Sequence, residues 1–164
     1  MKEVKEKETI MLVWFSVSDI DMAVPISIVK EVVNFEKIYK VPKAPSFIEG
    51  IMNLRGDILP IVSTAKRLDL EARSKTDEGR IIVVQCDGQQ VGFIADEIKG
   101  ILRLSQDSVF PPDKFPQIKG EFLESIAKLS DNRLILILNM PRLLSLEEKE
   151  DLEKFVKGAE EKNE

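Results

Sequence analysis

Two groups of neighbouring carboxylates, Asp96-Glu97 and the run from Glu147 to Asp151, are the nearest this chain comes to the paired acids of general acid–base catalysis. Such a pair works when two different environments push the two pKa values apart. Adjacent acids on a turn or an exposed helix face share one solvated environment, so these read as surface. The sequence holds no histidine. That removes the commonest general base, the nucleophilic triads built on it and most zinc sites. Its eight glycines never take the G-x-G-x-x-G or G-x-x-x-x-G-K spacing that cradles phosphates. The single cysteine, Cys86, stands in an apolar run and reads as a small buried side chain, not a nucleophile. No catalytic residue, metal-ligand set or cofactor is assigned. One charged group is out of place: Arg55 ends an apolar run, where a guanidinium either snorkels into water or has a partner waiting for it.

The elements that must position these residues are mostly short β-runs. Residues 47–62 carry two apolar runs, 51–54 and 58–62, on either side of Gly56-Asp57, and predict strand, two-residue turn, strand. Alternation then sends Ile51, Asn53 and Arg55 to one face and Met52 and Leu54 to the other. The tripeptide Arg55-Gly56-Asp57 reads as hairpin geometry, not as an adhesion motif. Upstream, residues 10–17 and 22–26 form a first hairpin around Ser18-Asp19-Ile20-Asp21. Apolar positions at Ile26, Val29, Val32 and Val33 follow helical spacing and predict a short helix or turn before Asn34 and Phe35, with Glu31 on its other face. Pro42 and Pro45 force an extended crossing toward Phe47.

Past Val62, Ser63 can cap a short helix bearing Ala65, Leu68 and Leu70, and residues 71–79 are a loop by composition. Residues 80–86 and 89–95 are β-runs joined by Asp87-Gly88, among the strongest hairpin signals a sequence gives. Residues 98–104 continue as strand, Pro111-Pro112 and Pro116 mark an irregular excursion, and residues 122–129 and 133–139 are further strands. Ser145-x-x-Glu148 is a capping box. It opens an amphipathic helix with Leu152, Phe155, Val156 and Ala159 on one stripe.

Composition bounds the function classes. With 43% hydrophobic and 32% charged residues over 164 positions, the chain can bury a core without disulfides. A net charge of −5, with 29 acids against 24 bases, gives no field that draws in nucleic acid or an anionic membrane. A small-barrel reader of single strands also needs exposed aromatic platforms, and only 6% of residues are aromatic. Apolar runs stop far short of the ~20 residues that span a bilayer. Protein partners and a cytoplasmic setting are expected.

The motifs then add a resemblance. Gly50-Ile51-Met52-Asn53-Leu54-Arg55-Gly56 with Ile58-Leu59-Pro60-Ile61-Val62 resembles the signature of the CheW domain, the adaptor module of bacterial chemotaxis. Leu12-Val13-Trp14-Phe15, Ala23-Val24-Pro25-Ile26, Val29-Lys30-Glu31-Val32, Pro42-x-x-Pro45-x-Phe47-Ile48, Val91-Gly92-Phe93-Ile94-Ala95-Asp96 and Arg133-Leu134-Ile135-Leu136-Ile137-Leu138 fall in family order. Where the family usually has Asp-Leu after Pro-Ile-Val, this chain has Ser63-Thr64.

The resemblance implies a mainly β fold of two small five-stranded β-barrel subdomains with a C-terminal α-helix. Expected boundaries are a disordered charged leader at 1–9, the CheW-like domain at 10–146, and a helix and tail at 147–164. It implies a non-catalytic scaffold that couples chemoreceptors to the histidine kinase CheA, monomeric in isolation and recruited to receptor arrays at the inner face of the membrane. The positions matching the family's receptor-binding residues are Val29, Glu31, Gly50 and Arg55, with Val32 and Ile51 as apolar neighbours, and Glu31 with Arg55 is expected to form a bidentate ion pair. Those matching kinase-binding residues are Ile81, Gly92 and Ile101, for which a core role is an equal expectation. The alternatives are a CheW-like domain from a larger signalling protein, such as the kinase's regulatory domain or a receiver-linked coupling protein, or a small β-barrel that binds a ligand or acts as an enzyme.

Overall fold

The structure, a computed structural model, describes residues 8–71, 79–114 and 122–162. Most of the expected charged leader, residues 72–78 of the expected loop and Pro116 lie outside the described residues, as do the side chains of Phe155 and Ala159. In chain order the strands are β1 Thr9–Val17, β2 Ile20–Pro25, β3 Val29–Asn34, β4 Ile48–Leu54, β5 Asp57–Val62 and β6 Arg80–Cys86. They continue with β7 Gln89–Ala95, β8 Glu97–Ser105, β9 Val109–Phe110, β10 Leu123–Lys128 and β11 Leu134–Leu138. Two helices complete the fold, α1 at Thr64–Arg67 and α2 at Leu146–Lys162.

The strands form two sheets and so two β subdomains. One has six strands in the order β8-β1-β2-β11-β10-β9, the other five in the order β3-β6-β7-β5-β4. The fold is mainly β, as expected, with one strand more in the first subdomain and two ends left to each hydrogen-bonded order. Three apolar cores follow from the twofold alternation of strand side chains. In β6, Ile81 and Val83 fill the inside of the five-stranded sheet while Ile82 and Val84 face a core shared by both sheets. In β1, Leu12 faces inside the six-stranded sheet and Val13, Phe15 and Val17 face the shared core. Strands that bury both faces need uninterrupted apolar runs, which is why these segments show no polar alternation.

Three hairpins turn on residues held in the left-handed region. Ser18-Asp19 (φ +50 and +65°), Arg55-Gly56 (+51 and +91°) and Asp87-Gly88 (+49 and +84°) each join neighbouring antiparallel strands with two residues, as type I′ turns require. The turn expected at Gly56-Asp57 therefore sits one residue earlier. Asp57 instead pairs with Leu54 and opens β5.

The short helix or turn expected over 26–33 is met only at its start: a 3-10 turn covers Ile26–Ile28, and Val29–Asn34 is strand β3. Three valines with stiff β-branched side chains favour the extended form. The capping box stands as expected, with the Glu148 N–H donating to Ser145 Oγ at 3.1 Å and the Ser145 N–H to Glu148 Oε1 at 2.9 Å. No helix among the described residues is long and apolar enough to cross a membrane.

Candidate functional site

A bulge in β3 sets the direction of Glu31. Val29 lies opposite Val84, but the next pair is Glu31 with Val83, so Lys30 is an extra residue and the strand changes face there. Val84 belongs to the shared core and Val83 to the inside of the five-stranded sheet. The bulge thus turns the odd-numbered residues from the shared core to the rim of the five-stranded subdomain. Glu31 and Val33 follow it, while Val32 is left 39% exposed.

Arg55 reaches the same rim from the turn between β4 and β5. Asn53 Oδ1 accepts the Gly56 N–H at 2.9 Å, a side-chain hydrogen bond that folds the turn and leaves Arg55 at its tip. From there Arg55 Nη1 donates to Glu31 Oε1 at 2.9 Å and Nη2 donates to Oε2 at 2.5 Å. Two parallel charge-assisted bonds fix the guanidinium plane as well as its position. Arg55 holds the Glu31 carboxyl below its ordinary range, chiefly through these hydrogen bonds, and Glu31 raises the guanidinium in return. The Arg55 side chain is 67% exposed, so the pair adds little to stability and mainly orients two charges.

The pair spans the open side of the five-stranded sheet, because β3 and β4 are its two ends. A second tie lies beside it. After β3 the chain passes across to β4, where the Tyr39 N–H donates to Ile51 O at 2.8 Å and the Ile51 N–H to Tyr39 O at 2.9 Å. Gly50 permits that approach, since a Cβ there would lie 2.4 Å from the Tyr39 carbonyl oxygen and 2.5 Å from Ile38 Cγ2. A hollow of about 380 Å³ opens next to this crossing, lined by Tyr39, Ile51, Met52, Asn53, Gly56 and Ile58. Tyr39 is 51% exposed, with the Lys37 ammonium 4.8 Å from its ring centre.

Of the positions matched to receptor binding, Glu31 and Arg55 are joined, Val32 is exposed, and Val29 and Ile51 are half-buried. Gly50 is buried and serves the packing of the Tyr39 crossing. The three kinase-matched positions are not brought together as one surface. Ile81 is fully buried and Gly92 buried in the five-stranded subdomain, where neither offers a side chain to a partner. Ile101 lies in the other sheet, on edge strand β8, and is 60% exposed.

Asn53, as the turn former, and Tyr39, as the crossing partner of Ile51, complete the rim beyond the positions matched to receptor binding. An Asn two residues before an Arg-Gly turn is a recognisable turn former, whereas nothing in the sequence placed Tyr39 beside Ile51.

The Ser63-Thr64 departure resolves into two effects. Ser63 caps α1, its hydroxyl accepting the Lys66 N–H at 3.2 Å, which is the job a short carboxylate does at the same position. Thr64 is fully buried and its hydroxyl has no hydrogen-bond partner among the described residues. Cys86 is 3% exposed and burial pushes its thiol up to about 11, so it packs as expected. Among the described residues no cluster of carboxylates and cysteine could hold a metal ion.

Residues 11–148 match a family profile described as CheW-like domain. A chemotaxis protein CheW of Rhizobium meliloti is 32% identical over 142 residues, which cover 85% of this chain and 90% of that one. A chemotaxis protein CheW of Bacillus subtilis is 30% identical over 146 residues, covering 88% and 92%. Among solved structures, the scaffolding protein TtCheW from Thermoanaerobacter tengcongensis superposes with a TM-score of 0.77 at 34% identity, covering 89% of this chain and 94% of its own.

Proposed function

This chain belongs to the CheW-like domain family, and from that premise we propose that it is a non-catalytic adaptor that couples chemoreceptors to the histidine kinase CheA. The observation that carries the reading is the match along nearly the whole domain to proteins named for chemotaxis, one of them titled a scaffolding protein. A chain without histidine and with its one thiol buried fits a role in recognition better than one in turnover.

The receptor face on this reading is the rim that carries Glu31 and Arg55, with Val32, Ile51 and Val29 as its apolar part. A helical receptor tip gains affinity from apolar anchors, and the oriented guanidinium supplies register. Gly50 supports this face from beneath. Ile101 is the contact in the kinase face, while Ile81 and Gly92 act on it only through the packing of their subdomain. Holding receptor and kinase on one small domain raises their effective concentration and lets a change at one bias the other. The site of action is the cytoplasm, at receptor arrays on the inner face of the membrane.

Calorimetric titration of the chain with the regulatory domain of CheA tests the kinase arm. Saturable binding on the order of ten micromolar or tighter is expected, weakened by Ile101→Asp. No heat at tens of micromolar from folded protein would favour the ligand-binding barrel instead.

A further inference from the structure

We propose that α2 is a strap that holds the two β subdomains in one mutual orientation and undocks as a unit. The helix follows β11 of the six-stranded sheet in the chain, yet its polar anchors belong to the other subdomain. Glu148 pairs with Arg67 of α1 at 2.7 Å, and Lys149 pairs with Asp87 of the β6–β7 turn at 3.0 Å. One turn further along, Leu152 enters the shared core and is 1% exposed. The segment leading into the helix is held too, with Leu143 and Leu144 buried and the Leu143 carbonyl accepting from Arg67 Nε.

Two features make this a device and not only a packed helix. One carboxylate serves both functions: Glu148 Oε1 accepts the Ser145 N–H that closes the helix start and the Arg67 guanidinium that latches it down. Releasing the latch therefore loosens the helix end as well. Among the described side chains these anchors lie within residues 143–152, outside both sheets, so the strap can leave without breaking a strand-to-strand hydrogen bond. Segments of that kind open at lower free energy than the core they cover. If the coupling role holds, the strap also fixes how the Glu31–Arg55 rim and the Ile101 edge lie relative to each other.

The chain carries its own reporter. Cys86 is its only cysteine, ends β6 in the shared core, and lies within the influence of the Lys149 charge. Reaction of the full-length chain with a thiol reagent at increasing urea should show a route that does not change with urea at low concentrations. Leu152→Ala should speed that route by about 30-fold or more, the loss expected for emptying a buried leucine site. Lys157→Ala, beyond the anchors, should leave it unchanged. Should Leu152→Ala not fold, Glu148→Gln serves in its place and should speed the same route several-fold.

Spin labels at Lys30→Cys and Arg103→Cys in a Cys86→Ala background, one in each subdomain, should give a single narrow distance that broadens with Leu152→Ala or Glu148→Gln. Labelling that follows only the steep urea dependence of global unfolding, or a distance distribution indifferent to these changes, would overturn the proposal.

Discussion

Replacing Gly92 with alanine separates a contact residue from a packing residue. A Cβ at this position would lie 2.6 Å from Ile81 Cγ2, 2.8 Å from Ile61 Cδ1 and 3.2 Å from Leu59 Cδ2. The Ile61 and Leu59 atoms end flexible side chains and can move aside. Ile81 Cγ2 branches directly from Cβ, so it moves only if the whole side chain rotates or β6 shifts, and Ile81 is fully buried. Overpacking of this kind costs about 1–3 kcal/mol. Removing a glycine from a strand returns about 0.4–1 kcal/mol by limiting the unfolded chain.

The clash should win, leaving a net loss of about 1–2 kcal/mol and a thermal midpoint lower by about 2–8 °C. Urea unfolding followed by circular dichroism measures it. Ile81→Leu, which removes the offending methyl, should recover part of the loss in the double variant, a coupling that independent sites do not show. If Gly92→Ala unfolds at the wild-type midpoint but binds the kinase regulatory domain less well, Gly92 is a surface contact and the packing account is wrong.

Other perturbations follow from the same geometry. Thr64→Val removes a buried hydroxyl that has no partner among the described residues and should stabilise the fold by about 1 kcal/mol, seen as a higher urea midpoint at unchanged slope. The folded Glu31 carboxyl is depressed by Arg55, so its charged-pair contribution is present at neutral pH and lost as pH falls through the lowered midpoint. Carboxyl NMR titration should find that midpoint below the ordinary glutamate range and returned toward it in Arg55→Ala. Gly50→Ala sets a Cβ against the backbone of Tyr39, so amide-exchange protection at Tyr39 and Ile51 should fall while the Asp87-Gly88 hairpin keeps its protection.

Much of this fold is legible where local chemistry decides the outcome. Asp87-Gly88 between two apolar runs can hardly be anything but a hairpin, and Ser145 with Glu148 marks its helix start. The turn at Arg55 shows how close alternatives are settled by one side chain. Gly56-Asp57 and Arg55-Gly56 both suit a two-residue turn, and the Asn53 carbonyl reaching the Gly56 N–H favours the second. The misreading of β3 has the same kind of cause. The bulge at Lys30 breaks the twofold alternation, so that Val29, Val32 and Val33 imitate helical spacing.

The division into three cores could not be read at all, because a continuous run such as residues 81–84 does not say which face meets which sheet. Nor could spacing bring Glu31 to Arg55, 24 residues apart along the chain. Their expected meeting rested on the resemblance, and the bulge and the turn supply its physical cause.

The coupling claim is tested most directly by reconstitution with receptor-bearing membranes, CheA and this chain. Sedimentation of the membranes should carry the kinase down with them when the chain is present, and markedly less when it is omitted or replaced by Arg55→Ala. Kinase that sediments equally well without the chain, or that stays in the supernatant with it, would contradict the account.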